Sequence, residues 1–479
     1  MLFNSYIFLL VFLPAVLALW WGLARWPNLR LASLVVGSYL FYGWWHWEYT
    51  LLLLASTVVD YWLGNQMAKR ERPSDRRIFL ALSIVCNLGM LGYFKYCGFL
   101  SESINGLLET FRLGTPLYVP DILLPAGISF YTFQTLSYSV DIYRGDIKPA
   151  RSLMAFAAYV SMFPQLIAGP IVRYSDVELQ MRNLPSTPDW SDITKGIWLF
   201  VIGMSQKILI ADTVSHATNP LLSDMESLRF FGGWCALLGY TIQLYFDFAG
   251  YSNMAIGLGL FFGFQFPTNF DSPYQSSNIQ MFWRRWHMTL STFLRDYLYI
   301  PLGGNRYGKI LAWRNLIVVM LLGGIWHGAG WTFVLWGLLH GCLLVGYAMI
   351  PLSIKDRIPR SIGVCLTLFC VMFGWLLFRS TNIAMAYDWN MALFGGHGFE
   401  SNALAILTSQ IFLFPLAGIL ICWFAPNAES AAPQFTPAVA VFLAAVLAFC
   451  ILRFDAESPF LYFQFYSWVF IIPGFKAYA

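Results

Sequence analysis

The chain has 479 residues, of which 58% are hydrophobic, 18% are aromatic and 11% are charged. This balance excludes an ordinary soluble globular domain and is typical of a polytopic membrane protein. The formal net charge of +4 says little about partners, and we expect no nucleic-acid partner. The composition therefore predicts a single all-α membrane domain over residues 1–479, with membrane lipids around it.

The first apolar segment, residues 2–21, lacks a basic n-region and a small-residue cleavage site, so we interpret it as a retained span. Further apolar segments follow at roughly 31–46, 49–64, 78–98, 122–140, 153–171, 195–212, 230–263, 312–330, 331–352, 361–378, 403–424, 434–453 and 460–475. Each crossing needs about 20 apolar residues, so some segments are half-spans, and we predict about 11 transmembrane helices with interfacial and re-entrant helices.

Basic residues follow alternate spans. Arg25 and Arg30 come after the first span, whereas Glu48, between the second and third spans, has no basic residue beside it. A basic cluster follows the third span and consists of Lys69, Arg70, Arg72, Arg76 and Arg77. The positive-inside rule places the first and third loops in the cytoplasm, and the N-terminus is therefore predicted outside, on the periplasmic side.

Asp247 lies in the middle of the apolar segment 230–263, with Gln243 one turn before it and Tyr251 one turn after it. A carboxylate at that depth must be paired, protonated or close to water. Two interpretations stay open. These side chains form the polar wall of a path through the membrane, or Asp247 holds the fold by clamping an arginine of the following segment.

That following segment, residues 278–306, combines aromatic and cationic side chains. Apolar residues recur there at helical spacing, namely Trp283, Trp286, Leu290, Phe293, Leu294 and Tyr297. Arg284, Arg285 and Arg295 lie among them, which favours a helix at the membrane interface. The arginines either anchor this helix to lipid phosphates or form a cytoplasmic vestibule for a phosphate-bearing substrate, which a guanidinium binds through its fork of donors.

His327 lies within residues 315–354, a stretch that contains no Asp, Glu, Lys or Arg. Forty helical residues would extend about 60 Å, twice the hydrocarbon thickness, so we expect two spans or one span with a broken return. Nearby glycines allow irregular backbone, namely Gly323, Gly324, Gly328 and Gly330. A lone buried histidine is often structural, but a neutral imidazole also suits general base catalysis, so both roles stay open.

Other kinds of site have little support. The eight cysteines lie mostly in apolar segments without C-x-x-C spacing, which favours packing over disulfides. The chain has no His-x-x-x-His or Glu-x-x-His pair, and His327 and His340 are 13 residues apart, so no metal site is expected. The absence of a Gly-x-Ser-x-Gly elbow disfavours a hydrolase triad.

Two stretches carry a resemblance that the patterns alone do not supply. They read Trp283-Arg-Arg-Trp-His287-Met-Thr-Leu-Ser-Thr-Phe-Leu-Arg-Asp-Tyr-Leu-Tyr-Ile-Pro-Leu-Gly-Gly-Asn-Arg306 and Leu321-Leu-Gly-Gly-Ile-Trp-His327-Gly. Both resemble the signature of membrane-bound O-acyltransferases, and most closely the branch that contains the membrane subunit of alginate O-acetylation. Residues 1–5, 124–134, 163–170 and 374–379 resemble that branch too. The core motifs would then occupy 240–345.

The resemblance implies helices around a central tunnel. In it, His327 would be the catalytic general base and His287 its polar support. The donor would be acetyl-CoA, a substrate rather than a bound cofactor. The residues that would bind it are Arg284, Arg285, Arg295, Asp296 and Arg306, and those that would line the tunnel are Gln243, Asp247 and Tyr251. The family usually has Ser and Asp where this chain has Ala249 and Asn253.

The C-terminal tyrosine motif, residues 460–465, resembles the Phe-x-Tyr-x-x-Phe motif of the D-alanylation system and of related O-acetyltransferases. The resemblance implies that Tyr462 is a transient acyl acceptor. Alternatively, Tyr462 belongs to the aromatic belt at the outer interface. A phenol with a pKa of about 10 needs a base, so the acceptor role requires His327 within hydrogen-bond reach of Tyr462.

The implied activity is transfer of acetyl groups across a bacterial inner membrane for O-acetylation of an exported polysaccharide. The implied partners are a periplasmic SGNH-type O-acetyltransferase and a polysaccharide synthase and export complex. Two alternatives stay open. The cargo is D-alanine for teichoic acid, or the chain is a transporter or lipid scramblase whose Asp247 and histidines line a substrate path.

Overall fold

The structure is a computed structural model that describes residues 1–44, 46–454 and 460–461. Within these ranges every regular element is a helix, and the prediction of an all-α fold is confirmed. The α-helices are α1 (Leu13–Gly22), α2 (Pro27–Gly43), α3 (Glu48–Ala68), α4 (Pro73–Leu91), α5 (Cys97–Phe111), α6 (Ile128–Arg144), α7 (Leu153–Ser161), α8 (Phe163–Leu166), α9 (Tyr174–Arg182), α10 (Trp190–Ser205), α11 (Thr213–Thr218), α12 (Phe230–Phe261), α13 (Ile279–Arg285), α14 (Met288–Leu294), α15 (Lys309–His327), α16 (Trp331–Met349), α17 (Leu352–Lys355), α18 (Arg360–Arg379), α19 (Ile383–Leu393), α20 (Ala403–Leu407), α21 (Gln410–Phe424) and α22 (Pro437–Leu452). Wider π-helical turns occupy Phe8–Phe12, Gly92–Tyr96, Gln206–Asp212 and Arg295–Tyr299, and 3₁₀ turns occupy Asn219–Leu222 and Pro273–Gln275.

Several helices have the length and apolar character that crossing a bilayer requires. In the described part of the chain, five helical stretches meet both conditions: Pro73–Phe111, Trp190–Leu222, Lys309–His327, Trp331–Met349 and Arg360–Arg379. Shorter apolar helices occupy Phe8–Gly22, Gln410–Phe424 and Pro437–Leu452. The protein is therefore a multi-pass membrane protein, as predicted. The total of about 11 crossings and the outer position of the N-terminus stay predictions.

The chain forms two compact units. The first contains Met1–Phe200 and Met254–Pro267, and the second contains Val201–Asn253 and Thr268–Leu461. The sequence-predicted site residues that the structure describes all belong to the second unit. The single domain over residues 1–479 stays a prediction.

In the first unit, a buried carboxylate joins three helices. Asp60 of α3 is 1% exposed, and its Oδ1 accepts hydrogen bonds from Ser83 Oγ at 2.7 Å and Asn87 Nδ2 at 2.8 Å, both on α4. Thr135 of α6 donates to Asn87 Oδ1 at 2.8 Å. Hydrogen bonds from α4 satisfy the carboxylate, and Asn87 extends the network to α6, so Asp60 has a structural role in holding these helices together.

In the second unit, the uncharged stretch around His327 forms two helices, as one of the two predicted arrangements requires. Helix α15 ends at His327, and α16 begins at Trp331 after a short extended break. The two helices approach closely through glycines. A Cβ on Gly337 would overlap the backbone carbonyl oxygen of Met320, and a Cβ on Gly341 would lie 3.0 Å from the Cα of Ile317. Small residues at such contacts let two membrane helices pack backbone to backbone.

We expect Gly337→Ala to destabilise the protein. The added methyl group meets backbone atoms of α15, which cannot move aside as a side chain would, so the helices must separate at a cost of about 1–3 kcal/mol. The matched control is Gly346→Ala on the same helix, where no atom lies within 4 Å of the added Cβ. Thermal unfolding in detergent should show a lower midpoint for Gly337→Ala alone. Equal midpoints for the two variants would contradict the close packing of α15 on α16.

Candidate active site

His327 lies in an aromatic enclosure at the end of α15. Its side chain is buried, and the residue is 7% exposed. Three rings meet the imidazole edge to face, with centroid distances of 4.8 Å for Trp326, 5.1 Å for Trp336 and 5.2 Å for Phe378. The next residue, Gly328, has no room for a side chain because a Cβ there would overlap the ring of Phe333. The Trp-His-Gly element therefore fixes the imidazole in a tightly packed, apolar site.

The structure brings the two predicted histidines together. His287 is fully buried between α13 and α14, and its ring centroid lies 6.3 Å from that of His327. The backbone of His287 is left-handed, with φ of +43°, a conformation that is uncommon for a residue with a side chain and that ends one helix before the next begins. The predicted interfacial helix is consequently broken at His287, and this break turns the imidazole into the protein interior.

Asn269 fixes the tautomer of His287. The Oδ1 atom of Asn269 lies 3.0 Å from His287 Nδ1 and accepts hydrogen bonds from the backbone N–H and the hydroxyl group of Thr289, at 3.4 and 2.9 Å. The Nδ2 group of Asn269 donates to Ser252 Oγ at 3.0 Å. Since a backbone N–H only donates, the atom facing His287 is an acceptor, and Nδ1 of His287 must carry the proton.

The other ring nitrogen of His287 is then an unprotonated acceptor. Nε2 is buried and has no hydrogen-bond partner among the described residues. Burial lowers the pKa of His287 to about 3, so the imidazole is neutral near pH 7. A buried lone pair without a partner is a strong acceptor for a hydrogen bond from a substrate or from a proton-carrying neighbour.

The predicted tunnel residues Gln243, Asp247 and Tyr251 repeat every four residues along α12 and are all buried. Asp247 forms an ion pair with Lys207, with Oδ1 and Nζ 2.8 Å apart. The proposed clamp on an arginine of the following segment is therefore wrong, because a lysine occupies that position. The Nε2 group of Gln243 donates to Ser215 Oγ at 3.0 Å.

The neighbouring residues of α12 support the histidine site. Phe248 meets the ring of His287 edge to face at 4.8 Å between centroids. Ser252, one turn later, accepts the hydrogen bond from Asn269 that orients the amide against His287. Residues 247 and 251 thus lie on one side of α12 and residues 248 and 252 on the adjacent side, as the helical repeat requires.

The predicted donor-binding residues lie at the surface of the second unit. Arg284, Arg295 and Arg306 are exposed, and Arg285 is half-buried, with its Nε 3.7 Å from Asp271 Oδ2. The Nε of Arg295 donates to the adjacent Asp296 carboxylate at 2.6 Å. The buried histidines and the exposed arginines therefore occupy different environments, and the structure leaves the donor-binding role a prediction.

Two important residues were not singled out from the sequence, Asn269 and Lys207. Asn269 lies in a polar loop with no recognisable motif. Lys207 did leave a signal, since it is a lone cation near the end of the apolar segment 195–212, the same kind of feature that pointed to Asp247. Tyr462 lies outside the described residues.

A third buried histidine, His340, also packs on Trp336. Its ring centroid is 4.8 Å from that of Trp336 and 5.1 Å from that of Trp283. Across the described ranges, no group of three or more His, Cys, Asp or Glu side chains is arranged to hold a metal ion. His340 therefore extends the aromatic packing around His327.

Comparisons with known proteins match these residues to an enzyme family. The family model for MBOAT, the membrane-bound O-acyltransferase family, matches residues 147–387, which include His287 and His327. The chain is 40% identical to a probable alginate O-acetylase, AlgI, of Azotobacter vinelandii, over 97% of this chain and 100% of that protein. It is 37% identical to a peptidoglycan O-acetyltransferase of Helicobacter pylori, over 81% of this chain and 78% of that protein. It is 28% identical to a teichoic acid D-alanyltransferase of Bacillus subtilis, over 53% of this chain and 68% of that protein.

Proposed function

Since this chain belongs to the membrane-bound O-acyltransferase family, we propose that it transfers acetyl groups from cytoplasmic acetyl-CoA across the inner membrane for O-acetylation of an exported polysaccharide. The observation that carries this proposal is the pair of buried histidines whose ring centroids lie 6.3 Å apart. They come from two motifs 40 residues apart in sequence, both inside the region matched to the family. Relatives named as O-acetylating enzymes for alginate and for peptidoglycan support acetyl as the transferred group.

The donor enters from the side that carries the exposed arginines. Acetyl-CoA bears several phosphate charges, and the planar guanidinium groups of Arg284, Arg295 and Arg306 suit phosphate through paired donors. The acetyl thioester, in contrast, is small and apolar enough to reach an aromatic enclosure like that around His327. The charged part of the donor thereby stays in water while the acyl group alone enters the protein, which avoids the high cost of moving charge into hydrocarbon.

The chemical step is a transacylation. His327, as general base, takes the proton of the accepting hydroxyl group while the oxygen forms a bond to the thioester carbonyl carbon. The bond from that carbon to sulfur breaks, and the CoA thiolate leaves and receives the proton. The neutral His287, with its acceptor nitrogen buried beside His327, supports the imidazolium that forms on His327 during the step. A dry aromatic site strengthens each of these electrostatic contributions.

The acetyl group leaves on the outer side through Tyr462. In this route the phenol of Tyr462 is the first acceptor, and the resulting aryl ester passes its acetyl group to the serine of a periplasmic SGNH-type O-acetyltransferase. The tyrosine oxygen regains a proton in that second transfer, so the enzyme is restored. A polysaccharide synthase and export complex in the inner membrane would supply the acceptor chain.

Donor specificity tests the proposal against its alternatives. The purified protein, supplied with acetyl-CoA labelled in the acetyl group, is expected to release CoA and to become labelled itself. A D-alanyl carrier protein as donor should give no label, and a label from it alone would establish the D-alanyl alternative. Failure with both donors would overturn the proposal. The transporter alternative is disfavoured by the match to the acyltransferase family and to O-acetylating relatives.

Asn269→Leu is expected to lower acetyl transfer about 10²-fold, which is within the range that acid–base catalysis contributes. Leucine provides no acceptor for His287 Nδ1, so the proton no longer has a fixed position on the ring. The matched control is Thr289→Val, which removes a hydroxyl donor to the same Asn269 oxygen and leaves the bond to His287 intact. Rates of CoA release compare the two variants, and a wild-type rate for Asn269→Leu would disprove the orienting role of Asn269.

A further inference from the structure

A buried ion pair in the second unit holds the last described residues of the chain. Asp247 of α12 uses both carboxylate oxygens. Its Oδ1 lies 2.8 Å from Lys207 Nζ, and its Oδ2 accepts the backbone N–H of Leu461 at 2.9 Å. The side chains of Lys207 and Asp247 are 2% and 4% exposed. A contact between residues 247 and 461 joins parts of the chain that are far apart in sequence.

The same pair also binds the ring before Leu461. Phe460 is 1% exposed, and Lys207 Nζ lies 5.1 Å from its ring centroid, within the range of a cation–π interaction. Tyr251 also contacts Phe460, with the two rings edge to face at 4.5 Å between centroids. The backbone of Leu461 and the ring of Phe460 are therefore both held, one by the carboxylate and one by the ammonium group with Tyr251.

The local backbone is built to bring Lys207 to Asp247. Lys207 belongs to the π-helical turn Gln206–Asp212, a widened turn of a kind that often occurs at functional sites. Gly250 of α12 permits close approach, because a Cβ there would lie 2.6 Å from the carbonyl oxygen of Gly203 and 3.1 Å from the backbone nitrogen of Lys207. A second carboxylate, Asp212 Oδ1, lies 2.6 Å from Lys207 Nζ.

A contribution to stability does not by itself explain why Lys207 and Asp247 form a buried ion pair. Burying two charges costs about as much as their attraction returns, and apolar side chains of similar volume often serve as well. What apolar side chains cannot supply is an acceptor for the N–H of Leu461 and a cation for the ring of Phe460. The chemistry of this pair is therefore matched to the segment that it contacts.

This segment leads directly into the proposed acyl acceptor. Leu461 is followed in the chain by Tyr462. The helix that carries Asp247 also carries Phe248, which packs on the ring of His287, and Ser252, which is hydrogen-bonded to Asn269. One short stretch of α12 thus contacts the histidine site on one side and the start of the C-terminal tyrosine motif on the adjacent side.

We propose that Lys207 and Asp247 are positioning residues that bind Phe460 and Leu461 and so fix the start of the C-terminal tyrosine motif on α12. The catalytic role of this positioning rests on the proposed function. The binding of Phe460 and Leu461 does not depend on that function, so it can be measured with no acyl donor present.

The test uses Asp247→Asn, which keeps the size of the side chain but leaves only one acceptor oxygen. Whichever way the amide turns, the N–H of Leu461 either loses its acceptor or donates to a neutral amide oxygen instead of a carboxylate. The full-length protein carries Leu461→Cys as a reporter, and the rate of maleimide labelling at position 461 is read by mass spectrometry. Native Cys450 on α22, which is 0% exposed, reports whether the helices remain packed. The matched control is Asp212→Asn, which removes the other carboxylate on Lys207 but not the contacts to Phe460 and Leu461.

We expect Asp247→Asn to speed labelling at position 461 by about tenfold or more, as loss of a hydrogen bond to a charged group predicts, with Cys450 still protected. Asp212→Asn should leave the rate unchanged. Without the reporter cysteine, Asp247→Asn should also lose acetylation of Tyr462 while Asp212→Asn retains it. Lys207→Met is the second variant, for use if Asp247→Asn exposes Cys450. The variant that counts is the one in which Cys450 stays protected. If labelling at position 461 is unchanged in that variant, the proposal is overturned, whether or not the protein transfers acetyl groups.

Discussion

His327→Ala is expected to abolish O-acetylation of the polysaccharide while the protein still inserts into the membrane. Without the imidazole, the rings of Trp326, Trp336 and Phe378 that surround it offer no base for the proton of the accepting hydroxyl group. General base catalysis contributes about 10²–10⁴-fold, so bound acetate should fall below a hundredth of the wild-type amount. Acetate released from the purified polysaccharide by alkali measures this directly.

The control for His327→Ala is a change of another buried histidine on the same tryptophan. His340 packs on Trp336, and neither of its ring nitrogens has a hydrogen-bond partner among the residues that the structure describes. His340→Leu therefore removes a similar ring without leaving an unpaired partner, and it is expected to retain most of the O-acetate. Normal acetate content in a properly inserted His327→Ala protein would remove the catalytic assignment. An equal loss in both variants would point to packing rather than chemistry.

Tyr462→Phe is expected to eliminate the covalently acetylated form of the protein and, with it, O-acetylation of the polysaccharide. Phenylalanine keeps the ring but has no oxygen to form the ester, so the acetyl group has no acceptor after the thioester. Mass spectrometry of the C-terminal peptide, after incubation with labelled acetyl-CoA, detects the ester at position 462.

A second phenol provides the comparison for Tyr462→Phe. Tyr251 lies against Phe460, two residues before Tyr462, and Tyr251→Phe preserves that ring contact. The acetylated peptide should persist in Tyr251→Phe. Persistence of the labelled protein at wild-type levels in Tyr462→Phe would refute the acceptor role, and a label that disappears only in Tyr251→Phe would move that role to α12.

The sequence predicts the parts of this fold that depend on local pattern. Composition and apolar length identify a multi-pass all-α protein, and the uncharged stretch around His327 forms two helices, α15 and α16, as its length requires. The proximity of His287 and His327 followed only from the resemblance to the family. Helical spacing relates residues within one helix, whereas these two histidines come from separate elements that meet through tertiary packing.

The contacts that position the histidine site could not be predicted from local sequence patterns. Spacing favoured a continuous interfacial helix, but the left-handed backbone at His287 breaks it, because the ring is held by Asn269 and Phe248 from elsewhere in the second unit. An arginine was one expected partner for Asp247, yet the partner is Lys207, which a glycine contact brings within reach. Both outcomes depend on which distant elements pack together, and a single sequence does not specify that.

Movement of the acetyl group through the protein tests the central proposal most directly. Purified protein is reconstituted into sealed vesicles with the predicted cytoplasmic side outward, the SGNH-type acetyltransferase inside, and labelled acetyl-CoA added outside only. The prediction is that label accumulates on the enclosed acetyltransferase with wild-type protein and not with His327→Ala. Label that stays outside the vesicles with wild-type protein, although CoA is released there, would contradict transfer across the membrane.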